Sequence, residues 1–115
     1  MKKYIFMLFT VALTLSSCSS NQALYSWYKY DDTTHAFAKK QNEKTENALI
    51  ENFDKIINKQ KGTRKVVPPG IYAERGYYFL KSGRTSEALE YFNKEKQLYP
   101  ESTVFMDRII KRIEK

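Results

Sequence analysis

Between Tyr72 and Pro100 the chain places small and aromatic residues at intervals that suit a helical hairpin, the most specific structural signal it carries. Tyr72, Arg75, Gly76 and Phe79 fall on one stripe of a helix, Ala88 and Phe92 stand one turn apart on a second, and Pro100 closes the unit. Gly76 and Ala88 are the tightest constraint. Two antiparallel helices approach closely only where their side chains are small, and larger ones would hold them apart. Between the two helices Gly83 is expected to end the first in a left-handed cap and Thr85 to cap the second. Leu80 and Leu89 add apolar surface to the same hairpin.

This spacing resembles the tetratricopeptide repeat, with one departure: Arg75 stands where the repeat carries Leu, so that side of the helix is either exposed or carries a salt bridge. One such unit cannot bury both of its faces, and flanking helices must cover them. Upstream, the residues from about His35 to Lys61 favour a helix uninterrupted by Gly or Pro. Its apolar face is Leu49, Phe53, Ile56, Ile57 and Gln60, and Glu51 precedes Lys55 in the favourable order. Gly62-Thr63 ends it, and Lys61 to Val67 forms a basic loop. Pro68-Pro69-Gly70 then stiffens the exit and marks the next helix start, because Pro is tolerated in a first helical turn. Downstream, Ser102 is expected to cap a last helix whose stripe is Phe105 or Met106, with Ile109, Ile110 and Ile113. Arg108, Lys111, Arg112 and Lys115 at its C-terminal end suit the helix dipole. The expected fold is all-α, about four helices over residues 35–115: a tetratricopeptide-like hairpin with flanking capping helices.

The N-terminus reads as a different kind of segment. Met1-Lys2-Lys3 leads into an apolar run from Ile5 to Leu15, long enough for the core of a secretory signal and too short to span a bilayer. It ends in Leu15-Ser16-Ser17-Cys18, which resembles the lipobox of bacterial lipoproteins. That resemblance implies removal of residues 1–17, a diacylglyceryl group on the Cys18 thiol and a further acyl chain, such as palmitate, on the freed amine. The alternative for Cys18 is a free thiol. Cys18 is the sole cysteine, so no intrachain disulfide is possible, and lipidation consumes a thiol that would otherwise stay reactive. Stable anchoring needs more than one chain, which a triacylated cysteine supplies. Ser19, in place of aspartate after the cysteine, implies by the same resemblance an outer-membrane address facing the periplasm. Residues 18–34 are then the lipidated cysteine, a short tether and an aromatic segment.

What remains after the signal is one small domain without disulfides, so packing alone must hold it. Nine Tyr and seven Phe meet that need. The formal net charge of +7 includes Lys2 and Lys3, so the mature chain is mildly basic. A periplasmic protein meets no genome, so nucleic acid drops out as a partner. Anionic lipid head groups or acidic protein faces are better suited.

Few residues suggest chemistry. Asp31, Asp32 and His35 could present two or three metal ligands on one helix face, and their simpler reading is a helix-cap cluster. The chain has a single His and neither a phosphate-cradling glycine loop nor a nucleophile elbow. Glu87 and Glu90 lie one turn apart on an expected solvated face, with no cleft between them. No catalytic residue, metal ligand or cofactor other than the covalent lipid is therefore assigned. Two stretches suit partner binding. The basic stretch Lys55, Lys59, Lys61, Arg64 and Lys65 is either a solvated helix end with a charged loop or a docking patch. The aromatic run holding Trp27, Tyr28 and Tyr30 is core filler, a partner hot spot or a membrane-interface anchor, and a strand or a helix start. Tyr72, Tyr77, Tyr78 and Tyr91 would line the concave surface typical of helical repeats. The partner-binding candidates are Trp27, Tyr28, Tyr30, Arg64, Lys65, Tyr72 and Tyr77.

From Tyr25 onward YSWYKYDD, then KQKGTRKVVPPGIYAE, then LYPES before an Ile-rich last helix resemble a family of small bacterial lipoproteins classed only as a domain of unknown function. The resemblance covers essentially the whole mature chain. It implies genes beside two other lipoproteins, one of them similar to the curli secretion channel. The expectation is a non-enzymatic scaffold subunit of an envelope lipoprotein complex, with a regulator or binder of peptidoglycan or its synthases as the alternative.

Overall fold

A computed structural model describes residues 1–5, 7 and 22–115. From Tyr30 onward the chain forms five α-helices and one 3-10 turn: α1 Tyr30–Lys39, α2 Glu43–Asn58, α3 Ile71–Lys81, α4 Thr85–Leu98, the turn Pro100–Ser102 and α5 Thr103–Ile113. No strand occurs among the described residues. The all-α expectation holds, and the helix count exceeds four.

The extra helix arises because the expected span from His35 to Lys61 is divided. Asn42 adopts an extended backbone (φ −146°), its side chain accepts from the Thr45 amide, and Thr45 Oγ1 accepts from the Asn42 amide. Short polar side chains that can bond the backbone locally favour a helix start over a helix interior. The break turns α1 back across α2 and brings the Phe37 ring to 6.2 Å from that of Tyr78. The aromatic segment is no strand: Tyr28 takes a left-handed conformation (φ 52°), and α1 begins at Tyr30 with Asp31 and Asp32 in its first turn, favourably placed on the helix dipole.

Leu49, Phe53 and Ile56 are buried on α2 as the periodicity predicts, with Ile57 half-buried and Gln60 beyond the helix end. Asn52 is also buried, because it holds the segment before α1. Its Oδ1 accepts from the Lys29 amide at 3.0 Å and its Nδ2 donates to the Trp27 carbonyl at 3.3 Å.

Helices α3 and α4 form the close hairpin. A Cβ at Gly76 would lie 2.8 Å from Phe92 Cε1 and 3.3 Å from the Ala88 carbonyl, and Ala88 is fully buried. Gly83 (φ +79°) makes the left-handed turn between the helices. Three expected end signals act differently. Thr85 is the first residue of α4 and follows Arg84 without a side-chain cap. Pro68 and Pro69 precede α3, which starts after Gly70 (φ 90°). Ser102 stands at the N-cap of α5, but its hydroxyl donates to the Tyr99 carbonyl at 2.7 Å and caps nothing. Gly70 has no side chain to cap α3. Glu95, buried on α4, takes that role: its Oε1 accepts from the Gly70 amide at 2.7 Å. Carboxylates suit helix N-termini because the unpaired amides and the dipole both favour negative charge.

Arg75 chooses the salt bridge over exposure. It is buried, its Nε lies 2.7 Å from Asp54 Oδ1 on α2, and its guanidinium lies 3.8 Å from the Phe79 ring centre. The apolar residues gather in two clusters, Leu49, Phe53, Ile56, Val67 and Ile71 in one and Phe79, Ala88, Phe92 and Met106 in the other. Each large side chain so buried contributes about 1.5–3 kcal/mol. On α5 Met106 enters the core at 2% exposure, whereas Phe105 stays 62% exposed.

Candidate partner-binding cleft

Helices α1, α2 and α3 do not close completely against one another. Tyr30, Thr34 and Phe37 of α1, Leu49 and Phe53 of α2, and Glu74, Tyr77 and Tyr78 of α3 line an open cleft of about 280 Å³. Its walls are rings in mutual contact: Tyr30 to Phe53 at 6.2 Å, Phe53 to Tyr78 at 5.9 Å and Tyr77 to Tyr78 at 5.3 Å between centres. Such edge and tilted contacts hold aromatic walls in fixed orientations.

Glu74 is the one charged lining residue. The Tyr30 hydroxyl donates to both of its oxygens, at 2.9 and 3.2 Å, and among the described residues no cation pairs with it. Burial holds the Glu74 carboxyl above its ordinary pKa, the Tyr30 hydrogen bond pulls it back down and the Glu95 charge adds to the rise. Burial first, then the bond to Glu74, raises Tyr30 to about 12. At the rim Tyr77 is 56% exposed. Lys81 lies outside the cleft lining, bound to Glu46 at 2.8 Å and 5.8 Å from the Phe37 ring centre. Apolar walls around one carboxylate suit a side chain that carries an aliphatic or aromatic stem and a hydrogen-bond donor at its end.

Of the residues expected to bind partners, Tyr30 and Tyr77 line this cleft and the others lie elsewhere. Trp27, 39% exposed, packs on Tyr30 at 5.2 Å and on Tyr25 at 6.2 Å, so it is neither core filler nor free. Tyr28 donates its hydroxyl to the Lys59 carbonyl, and Lys55 Nζ lies 4.5 Å from its ring centre. Arg64 and Lys65 are exposed on the loop after α2. The expected shared surface of Tyr72, Tyr77, Tyr78 and Tyr91 divides into two pairs, Tyr77 with Tyr78 and Tyr72 with Tyr91. Phe37 and Glu74 were not singled out by the sequence. A signal for Glu74 existed: Glu74, Tyr77 and Tyr78 share the helix face adjoining the hairpin stripe.

Cys18 lies outside the described residues. Asp31, Asp32 and His35 are exposed on α1, and among the described residues no group of three His, Cys, Asp or Glu is placed to hold a metal ion. Glu87 pairs with Arg84 and Glu90 with Lys94 on the outer side of α4. No helix among the described residues is long and apolar enough to cross a membrane.

The helices and their single-carboxylate cleft define a small all-α domain. The chain belongs to the family described as a domain of unknown function, DUF4810, whose family model matches residues 24–109. No curated protein and no solved structure matches the chain.

Proposed function

We propose that this protein is a lipoprotein anchored in the outer membrane through Cys18 and facing the periplasm, where its tetratricopeptide-like helical domain serves as a non-enzymatic binding subunit of an envelope lipoprotein complex. The observation that carries the binding role is the aromatic cleft, with Glu74 free of any cation among the described residues and Tyr77 standing exposed at its rim. Rigid rings give contact area at low entropic cost, and a half-buried carboxylate rewards a donor that reaches it. The anchoring part of the reading is supported by the apolar run from Ile5 to Leu15 and the Leu15-Ser16-Ser17-Cys18 stretch that follows it. The partner class is other envelope lipoproteins, a relative of the curli secretion channel among them.

Crosslinking in native envelopes followed by mass spectrometry tests this. Capture of one or two other lipoproteins by the wild type, weakened by Tyr77→Ala and Glu74→Gln and lost with Cys18→Ser, is the expected result. Capture of peptidoglycan synthases alone, or pelleting of the purified protein with cell-wall sacculi, would transfer the role to the cell wall. Capture indifferent to both cleft substitutions would remove the cleft from it.

A further inference from the structure

The fold ties the basic loop after α2 to the point where the chain leaves toward Cys18. The Thr63 amide donates to the Ala23 carbonyl at 3.1 Å and the Arg64 amide to the Leu24 carbonyl at 3.2 Å. The Lys61 amide donates to Ser26 Oγ at 3.1 Å. Gly62 is buried beneath this crossing, and a Cβ there would lie 2.2 Å from the Leu24 carbonyl oxygen and 2.4 Å from Tyr25 Cα. Only glycine lets the two backbones approach so closely. The segment at residues 23–26 and the loop at 61–64 are therefore one rigid corner of the molecule.

This corner cannot travel far from the anchor. The chain from Cys18 to Ala23 reaches at most about 18 Å when fully extended. Lys61, Arg64 and Lys65 project from the corner exposed, and Leu24 beside them is 58% exposed. Arg75, Lys81, Arg84, Lys94 and Lys96 each face a carboxylate within 4.0 Å, whereas none of the three corner cations does among the described residues. Their charge is thus available to an external anion.

We propose that Lys61, Arg64 and Lys65, with Leu24 between them and the tether, form a foot that docks on the anionic phospholipid head groups of the anchoring membrane. The proposal rests on acylation of Cys18. The tether supplies proximity, and the three cations supply orientation. Each cation gains from an anionic surface only within a Debye length, about 8–10 Å at ordinary salt, a separation the tether permits. Docking at this corner fixes which end of the array meets the bilayer, because the turn at Lys40 and Gln41 lies at the far end of α2, about 24 Å along its axis.

The test uses the full protein extracted from envelopes and reconstituted into vesicles of phosphatidylcholine alone or with phosphatidylglycerol, followed by limited trypsin digestion. Mass spectrometry of the N-terminal peptide is read first, and a Cys18 without acyl groups overturns the anchoring reading and this one with it. With acylation present, cleavage after Lys61, Arg64 and Lys65 is expected to slow by at least about tenfold on the anionic vesicles at low salt. High salt should restore it, and cleavage after Lys39 and Lys40 should be equal on both vesicles. Equal loop cleavage on the two vesicles, or protection that survives high salt, overturns the foot while leaving the anchor intact. Protection in native envelopes but not on anionic vesicles identifies an acidic protein as the occupant and also overturns it. The variant Lys61→Gln/Arg64→Gln/Lys65→Gln removes the trypsin sites, so it is read by quenching of Trp27, the sole tryptophan, with doxyl-labelled lipid. It should quench less than the wild type on anionic vesicles and equally on neutral ones.

Discussion

Arg75 shows how a charged residue can occupy a buried place on a helix face. Its aliphatic stem and flat guanidinium fill the place of an apolar side chain, stacked over Phe79, while the charge is met by Asp54. Asp54 is 42% exposed and can return to water, so the stem carries more of the stability than the ion pair. Arg75→Ala is expected to cost about 2–3 kcal/mol and Arg75→Met less than half as much, by urea denaturation followed by circular dichroism. Equal losses would assign the effect to the charge. Glu95 makes a pH-dependent contribution. Burial raises its pKa above the usual 4.5, against the opposing pull of the Gly70, Ala73 and Tyr72 amides. The folded state then holds this proton more tightly than the unfolded one, so stability declines as pH rises from about 4.5 through the raised value. Glu95→Gln should lack that decline, and its stability relative to wild type should increase from acid to neutral pH. A difference that stays flat across the range would refute the assignment. The sequence offers no hint of this cap, because Gly70 and Glu95 are far apart along the chain and meet only once α3 and α4 pack.

At the scale of elements, the hairpin and the break before α2 make opposite points. Gly76, Ala88 and Gly83 are each required by steric limits that a sequence displays directly, and the helices pack where those residues predict. The break at Asn42 rests on a choice between two local states of similar energy. Asn and Thr tolerate a helix interior, yet the reciprocal bonds of Asn42 and Thr45, together with the burial of Phe37 against Tyr78, decide for a new helix. Asn42→Ala is expected to lower stability by about 1 kcal/mol and to speed amide exchange at the start of α2. Unchanged exchange there would show that tertiary packing alone sets the break. The cleft follows from this turn, since Tyr30, Thr34 and Phe37 reach it only when α1 folds back.

Across the whole molecule the two apolar clusters follow chain order, α2 and α3 around Phe53 and Ile71, then α3 to α5 around Phe92 and Met106. The helices contact chiefly their neighbours in chain order. Met106→Ala should cost about 2–5 kcal/mol, with loss of amide protection concentrated in α4 and α5 and sparing α2. Uniform loss along the chain would indicate a single cooperative core. At this scale the basic loop is also joined to the segment before α1, since the Gly62 crossing and the Thr63 and Arg64 amide bonds hold it against residues 23–25.

The sequence by itself determined the helical class, the close hairpin at Gly76 and Ala88, the left-handed turn at Gly83 and the buried face of α2, because periodicity and the steric limits of small residues act locally. Tertiary structure alone decided the Arg75–Asp54 pair, the Glu95 cap, the grouping of Glu74 with Tyr30 and Tyr77, and the joining of the basic loop to the N-terminal segment. These depend on which helices become neighbours, and that follows from the summed burial of apolar side chains across the chain, not from any local run of residues.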